Sequence, residues 1–338
     1  MGQFMAGRFL RARRAAETVL SREASLNAAE QKLGHSVALR ALAHVMVAES
    51  AHALQDKALR EEHLAQALHE AQQATGADRQ TLLEGIPLRA ARWLIDDRDA
   101  GASLEHLRQL PVSVARRTVA MRLHLKAARL AGQPEQALDM ALLLAKHRAF
   151  SPSASQSLVR GLVLELVART HDDKALEKLW QSLPQAQRTM PDVATEAAMR
   201  LVHLRGSAPL ARQWLSPVWD SMKDAPAAAS PAAMQRLVRA VQATLVDVQS
   251  PDARAWLARI EAAQQARPSE PHLQYLAGMA CQRHQLWGKA QTLLTQALKN
   301  LQDPLLCRQA WCALAELAEQ RQDATAALQA WKQAAQLR

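Results

Sequence analysis

Small and apolar residues recur along the chain at helical spacing, and the clearest pattern lies near the C-terminal end. Pro271 to His284 reads as one helix and Gln285 to Leu298 as a second. Gly278 and Ala290 lie twelve residues apart, and Ala297 follows seven later. Two antiparallel helices can approach to about 8–10 Å only where no bulky side chain intervenes, so these small residues mark the closest contact of a hairpin. The pattern repeats at Trp311, Leu314, Ala315, Ala327, Trp331 and Ala334. Upstream, an Ala sits early in each expected second helix, at Ala102, Ala137, Ala175, Ala211, Ala253, Ala290 and Ala327. The successive gaps are 35, 38, 36, 42, 37 and 37 residues.

That period is slightly longer than the roughly 34 residues of a tetratricopeptide repeat. It predicts an all-α fold, an α-solenoid of stacked tetratricopeptide-like hairpins whose first helices line a concave face. No alternating Val, Ile, Thr or Tyr run predicts a strand. Phe9 to Leu20 reads as a helix, and His35–Leu54 with Lys57–Ala74 as a long hairpin joined at Gln55-Asp56. Thr75-Gly76-Ala77-Asp78 supplies turn chemistry and an N-cap. Pro134, Pro209 and Pro251 fall where second helices start, which suits a residue with fixed φ and no N–H. The expected divisions are N-terminal helices at 1–76, middle repeats at 77–222, an elbow at 223–231 and C-terminal repeats at 232–338. The elbow is the Pro/Ala/Ser-rich Lys223–Pro231, inside the 42-residue gap.

Composition adds a partner class. The net charge is +10, which favours an acidic protein, an anionic small molecule, anionic lipid or nucleic acid. Nucleic acid lacks further support, since no aromatic platform or recognition helix accompanies the charge. Cys281, Cys307 and Cys312 fit no disulfide set and no common zinc spacing, and read as core thiols. No apolar run approaches the roughly 20 residues that span a bilayer. No phosphate-binding glycine loop, nucleophile elbow or His-Glu-x-x-His occurs. Asp96-Asp97 and Asp172-Asp173 sit at expected turns and read as caps. His44 and His52 flank Val45-Met46-Val47 and read as packing, not metal ligands. A non-catalytic protein with no required cofactor and no metal is expected.

Counting back from the anchoring Ala residues gives the side chains expected on the concave face. They are Arg122, Lys126 and Arg129 in the Ala137 repeat, Arg160 in the next, and Glu196, Arg200 and His203 in the Ala211 repeat. The Ala290 repeat contributes His272, Tyr275, Met279 and Arg283. A basic middle suits carboxylates, on an acidic tail or on porphyrin propionates. His272, Tyr275 and Met279 are residue types that ligate haem iron. Near the start, Arg8, Arg11, Arg13 and Arg14 form a basic cluster suited to anionic headgroups.

Gln285-Leu-Trp-Gly-Lys-Ala-Gln291, Leu183-Pro184 with Arg188 and Pro191, and Asp323 through Ala334 together resemble one family. An Arg/Ala-rich opening from Gly7 to Ala16 precedes them in the same order. The chain resembles the HemY-type tetratricopeptide proteins of proteobacterial haem biosynthesis. The resemblance implies two transmembrane helices ahead of the repeats, which makes this chain a soluble piece following them. It also implies an inner-membrane location with the repeats facing the cytoplasm, where Arg8–Arg14 become membrane-proximal. A scaffold for late haem enzymes, ferrochelatase and protoporphyrinogen oxidase, follows as the expected role. Direct binding of haem or porphyrin is the alternative. The resemblance carries no catalytic residue.

Overall fold

The computed structural model describes residues 2–24, 35–224, 230–246 and 248–337. Among them there are helices, turns and no strand. The chain is all-α, built of stacked helical hairpins. It divides into two compact units, Met1–Leu162 and Val163–Arg338, with the division inside one helix. The expected elbow falls within the second unit, and its residues 225–229 lie outside the described residues.

In the first unit a short α1 (Gly2–Met5) precedes α2 (Phe9–Ala24), which packs on α3 (His35–Ala53). The hairpins that follow are α3 with α4 (Lys57–Gln73), α5 (Gly76–Asp96) with α6 (Ala100–Arg108), and α8 (Thr118–Leu130) with α9 (Pro134–Lys146), the last two separated by α7 (Val112–Ala115). Helix α10 (Pro152–Arg169) contains the division. Ala41, Val45, Ala67, Ala71 and Ile86 make one core cluster, and Ala91, Leu104, Leu107, Val114 and Ala127 another. Alanine dominates because the hairpins need small residues at their contacts.

In the second unit α11 (Asp173–Ser182) and α12 (Gln185–Arg188) lead to the hairpin of α13 (Pro191–His203) and α14 (Ala208–Asp224). Then come α15 (Pro231–Ala243), α16 (Pro251–Ala266), α17 (Pro271–Arg283) with α18 (Trp287–Ala297), and α19 (Pro304–Gln320) with α20 (Ala324–Gln336). The first helices stack directly, α13 on α15, α15 on α17 and α17 on α19. Gly278 makes the expected close approach, because a Cβ there would lie 2.7 Å from Leu294 Cγ on α18. Pro134 and Pro251 are the first residues of their helices, and Pro209 the second. First helices also begin with proline, at Pro191, Pro231, Pro271 and Pro304.

Two of the seven Ala anchors slip by one residue. In α6 the buried position is Ser103, whose hydroxyl donates to the Ala91 carbonyl at 2.9 Å, while Ala102 is half-buried. In α11 it is Leu176, fully buried, while Ala175 is exposed. One residue turns a helix by about 100°. The position equivalent to Arg122 therefore moves from Arg160 to Gly161.

The paired carboxylates also divide. Asp172 caps α11, accepting from the Ala175 N–H at 2.8 Å. The expected cap at Asp96-Asp97 belongs instead to Asp99, which accepts from Ala102 N–H at 3.0 Å. Asp97 is the buried partner of Arg60, at 2.6 Å. At the start of α5, Thr75 holds the N-cap position without a side-chain hydrogen bond.

Candidate functional site

The stacked first helices of the second unit form a groove. One compartment of about 280 Å3 is lined by Met199 on α13, Arg239 and Gln242 on α15, Met279 and Arg283 on α17, and Gln309 on α19. A neighbouring compartment of about 480 Å3 shares Gln242, Met279, Arg283 and Gln309 and adds Trp287, Cys312 and Glu316. Helices α15, α17 and α19 each contribute residues about one turn apart, so each presents one stripe to the groove, and α13 adds Met199.

Tyr275 fixes the groove from below. It is fully buried, and its hydroxyl lies 2.8 Å from Gln242 Oε1 and 2.7 Å from Gln309 Oε1. One phenolic proton serves one of these oxygens at a time, and the tie holds both amides in place. Burial drives the Tyr275 phenol far above its usual pKa, with the Gln242 hydrogen bond opposing. The phenol is therefore neutral and structural at physiological pH. Gln282 Nε2 donates to Glu316 Oε2 at 2.7 Å and occupies that carboxylate. Among the described residues, no carboxylate lies within ion-pair distance of Arg239 or Arg283, and both guanidiniums line the groove.

The three candidate iron ligands do not share one setting. Met279 lines the groove, Tyr275 lies beneath it, and His272 Nδ1 is 2.9 Å from Glu270 Oε1 near the start of α17. Tyr275 exposes no surface from which to reach an iron atom. Among the described residues no group of three His, Cys, Asp or Glu is placed to hold a metal ion.

The basic residues counted from the Ala anchors serve several ends. Arg122 donates to the Ala149 carbonyl and stacks over Phe150, 5.1 Å from the ring centre, tying α8 to the loop after α9. Lys126 and Arg129 are exposed on the same helix, and Arg160 is exposed on α10. Arg200 donates through Nε to the Thr170 carbonyl at 2.9 Å and meets His171 Nδ1 at 3.0 Å, binding α13 to the α10–α11 turn. His203 is exposed. Arg283 alone of these lines the groove. Arg239, Gln242 and Gln309 are not among the residues expected from the anchors; they meet through the stacking of α15 and α19 on α17.

At the N-terminal end, Arg8, Arg11 and Arg14 are exposed on or beside α2, and Arg13 pairs with Glu17 at 3.1 Å. No helix among the described residues is long and apolar enough to cross a membrane. Cys281 and Cys307 are buried as expected, whereas Cys312 is half-buried and lines the groove; burial and nearby Glu261 push Cys281 up to about 11. His44 is not isolated, since its Nδ1 lies 2.9 Å from Nδ1 of His63 on α4. Against known proteins, no family model matches the chain and no characterised protein matches it in sequence.

Proposed function

We propose that this protein is a non-catalytic interaction scaffold that seats an acidic, extended segment of a partner in the groove of its second unit. One observation carries the reading: Arg239 and Arg283 face the groove with no carboxylate partner among the described residues, beside amides that Tyr275 holds in place. Guanidiniums bind carboxylates in pairs of parallel hydrogen bonds, and preset amides suit a peptide backbone. Met199 and Met279 add adaptable apolar contact. The resemblance to the HemY-type proteins supplies the partners: ferrochelatase and protoporphyrinogen oxidase, gathered at the cytoplasmic face of an inner membrane, with Arg8, Arg11 and Arg14 toward the headgroups.

The test is co-purification from bacterial membranes with the repeat region as bait, wild type against R239E/R283E. The wild type enriches the late haem enzymes, and the charge reversal loses them while helicity is unchanged. Equal recovery by both baits sinks the groove as the seat. Haem or porphyrin binding is the second reading, favoured by Met279 beside the same two guanidiniums. Haemin titration separates the two: saturable binding near one equivalent that M279A weakens supports the ligand reading, and binding unaffected by M279A and R239E/R283E removes it.

A further inference from the structure

A second cavity, of about 390 Å3, lies elsewhere in the second unit, between α11, α12 and α14. It is lined by Trp180, Trp214, Leu210, Pro217, Arg188 and Glu177, with Gln181 and Gln213 among its polar groups. Trp180 and Trp214 stack at 4.6 Å between ring centres with planes 18° apart, and both are buried. They make a rigid apolar floor. Leu183-Pro184 explains why Arg188 is there: the proline ends the approach from α11 and starts the single turn of α12, which closes at Arg188.

The arginines of this unit differ in their partners, and Arg212 also carries a buried nitrogen, Nη2, without an acceptor among the described residues. Arg200, Arg212 and Arg259 each meet carbonyls, carboxylates or a hydroxyl through two nitrogens, or through a nitrogen and a ring. Arg188 has no ion pair among the described residues, and its Nε is buried without an acceptor there. That Nε exposes no surface to a ligand, so contact from the cavity falls to the two terminal Nη groups, whose paired N–H donors match the two oxygens of one carboxylate. Glu177 lines the same cavity and does not neutralise Arg188. Its charge disfavours a second carboxylate on the ligand.

We infer that this cavity binds a small monocarboxylate with an apolar body, its carboxylate on Arg188 and its body on the Trp180–Trp214 floor. This does not depend on the groove reading, since the two sites share no residue. The probe is 3-phenylpropionate, titrated into the whole chain and followed by tryptophan fluorescence and calorimetry. Its neutral amide and the dianion phenylsuccinate are the comparisons. The expected result is saturable binding of the monocarboxylate at one site, with the amide and the dianion each weaker by roughly tenfold or more, a difference of about 1.4 kcal/mol. R188Q, which keeps the bulk of the side chain, gives the same loss, and R239Q/R283Q gives none. E177Q restores binding of the dianion. The inference is overturned if R188Q binds as well as wild type, if the amide matches the acid, or if wild type shows no saturable binding. Should R188Q lose helicity, R188K decides: it keeps the charge without the two-pronged edge, and undiminished affinity overturns the assignment.

Discussion

The first unit holds eight of the twelve His residues and one of the eight Trp, whereas the second holds four His and seven Trp. Both are stacks of the same hairpin, yet they are fastened differently. In the first, Arg60–Asp97 at 2.6 Å, Arg40–Glu70 at 3.0 Å and Arg117–Glu84 at 2.7 Å tie residues 30 or more positions apart, and Arg89 pairs with Glu49. In the second, Trp180 stacks on Trp214, Trp219 meets Trp256 edge-on at 5.7 Å, and buried Tyr275 links two neighbouring helices. Ionic ties are present there too, from buried Arg212 to Asp252 and from Arg259 to Asp220, each at 2.6 Å. The repeat dictates where small residues go and leaves the fastening free. Ionic fastenings carry desolvation costs and respond to pH, whereas aromatic ones do neither.

The largest effects come from cutting each kind. Trp214→Ala opens a cavity beside Trp180 and costs about 3–5 kcal/mol. Arg60→Ala leaves Asp97 with Lys57 at 3.7 Å and His52 but without its guanidinium, and costs less, about 1–3 kcal/mol. They part on rescue. Replacing both partners, as R60M/D97L, removes the under-compensated charge and recovers most of the loss, because an apolar pair of similar size is often as stable as a buried ion pair. No second change on Trp180 refills the cavity left by Trp214→Ala. Urea unfolding of the four variants checks this, and an R60M/D97L protein as unstable as Arg60→Ala would break the contrast.

A smaller effect is pH dependence. Burial first, and then each other's charge for His44, hold His44 and His63 below the usual histidine pKa of 6.5. Glu70 and Glu62 near His44, and Glu62 and Glu17 near His63, oppose that shift, while Arg40 and Arg13 add to it. His106 and His124 are lowered by burial in the same unit, against His284 alone in the second. The folded chain thus binds fewer protons than the unfolded one. Stability is complete above pH 6.5 and falls as pH drops below it. Asp97 responds in a separate window. Burial would raise it, but the Arg60 hydrogen bond and charge, with Lys57 and His52, hold it below 3.8, so its contribution is lost only in stronger acid. Amide exchange between about pH 7 and about pH 5 is expected to lose protection in α3 and α4 before α17 and α18. H44Q/H63Q flattens that response, and equal loss in both units would break the comparison.

Most helices were legible in the sequence, since small residues at hairpin contacts and prolines at helix starts are fixed by backbone geometry. The long hairpin of α3 and α4 and the start of α9 fall where the pattern puts them. Turn residues were harder. Gln55, Arg98, Arg148, Arg205, Gln285 and Gln322 all adopt left-handed φ between 52° and 63° just after a helix, positions where glycine is the usual signal. Each is followed by a backbone bond that closes the helix end, such as Leu286 N–H to the Cys281 carbonyl at 2.9 Å. That bond caps the orphaned carbonyls of the helix end and offsets the cost of left-handed φ at a non-glycine residue. The groove was half legible. Arg283 and Met279 follow from counting, but Arg239, Gln242 and Gln309 meet only through tertiary stacking. His44 and His63 also meet across two helices, 19 residues apart, a partner that spacing along one helix does not show.

The smallest effect is a single methyl group, and its sign should differ between the units. Gly278 in α17 and Gly85 in α5 both sit inside helices with ordinary φ. A Cβ at Gly278 would lie 2.7 Å from Leu294 Cγ and 3.2 Å from the Leu294 backbone nitrogen, so α18 must move. A Cβ at Gly85 would meet nothing within 4 Å. Gly278→Ala is therefore expected to destabilise by about 1–3 kcal/mol, the usual cost of overpacking a filled contact. Gly85→Ala is expected to stabilise by about 0.5–1 kcal/mol, because alanine loses less backbone entropy in a helix and here adds no clash. Thermal unfolding of the two variants reads the signs directly. If Gly278→Ala were neutral, the α17–α18 contact would be looser than the glycine implies, and trimming the facing side chain, as in G278A/L294V, would then give no recovery. If it destabilises and G278A/L294V recovers part of the loss, the close approach is what the glycine serves.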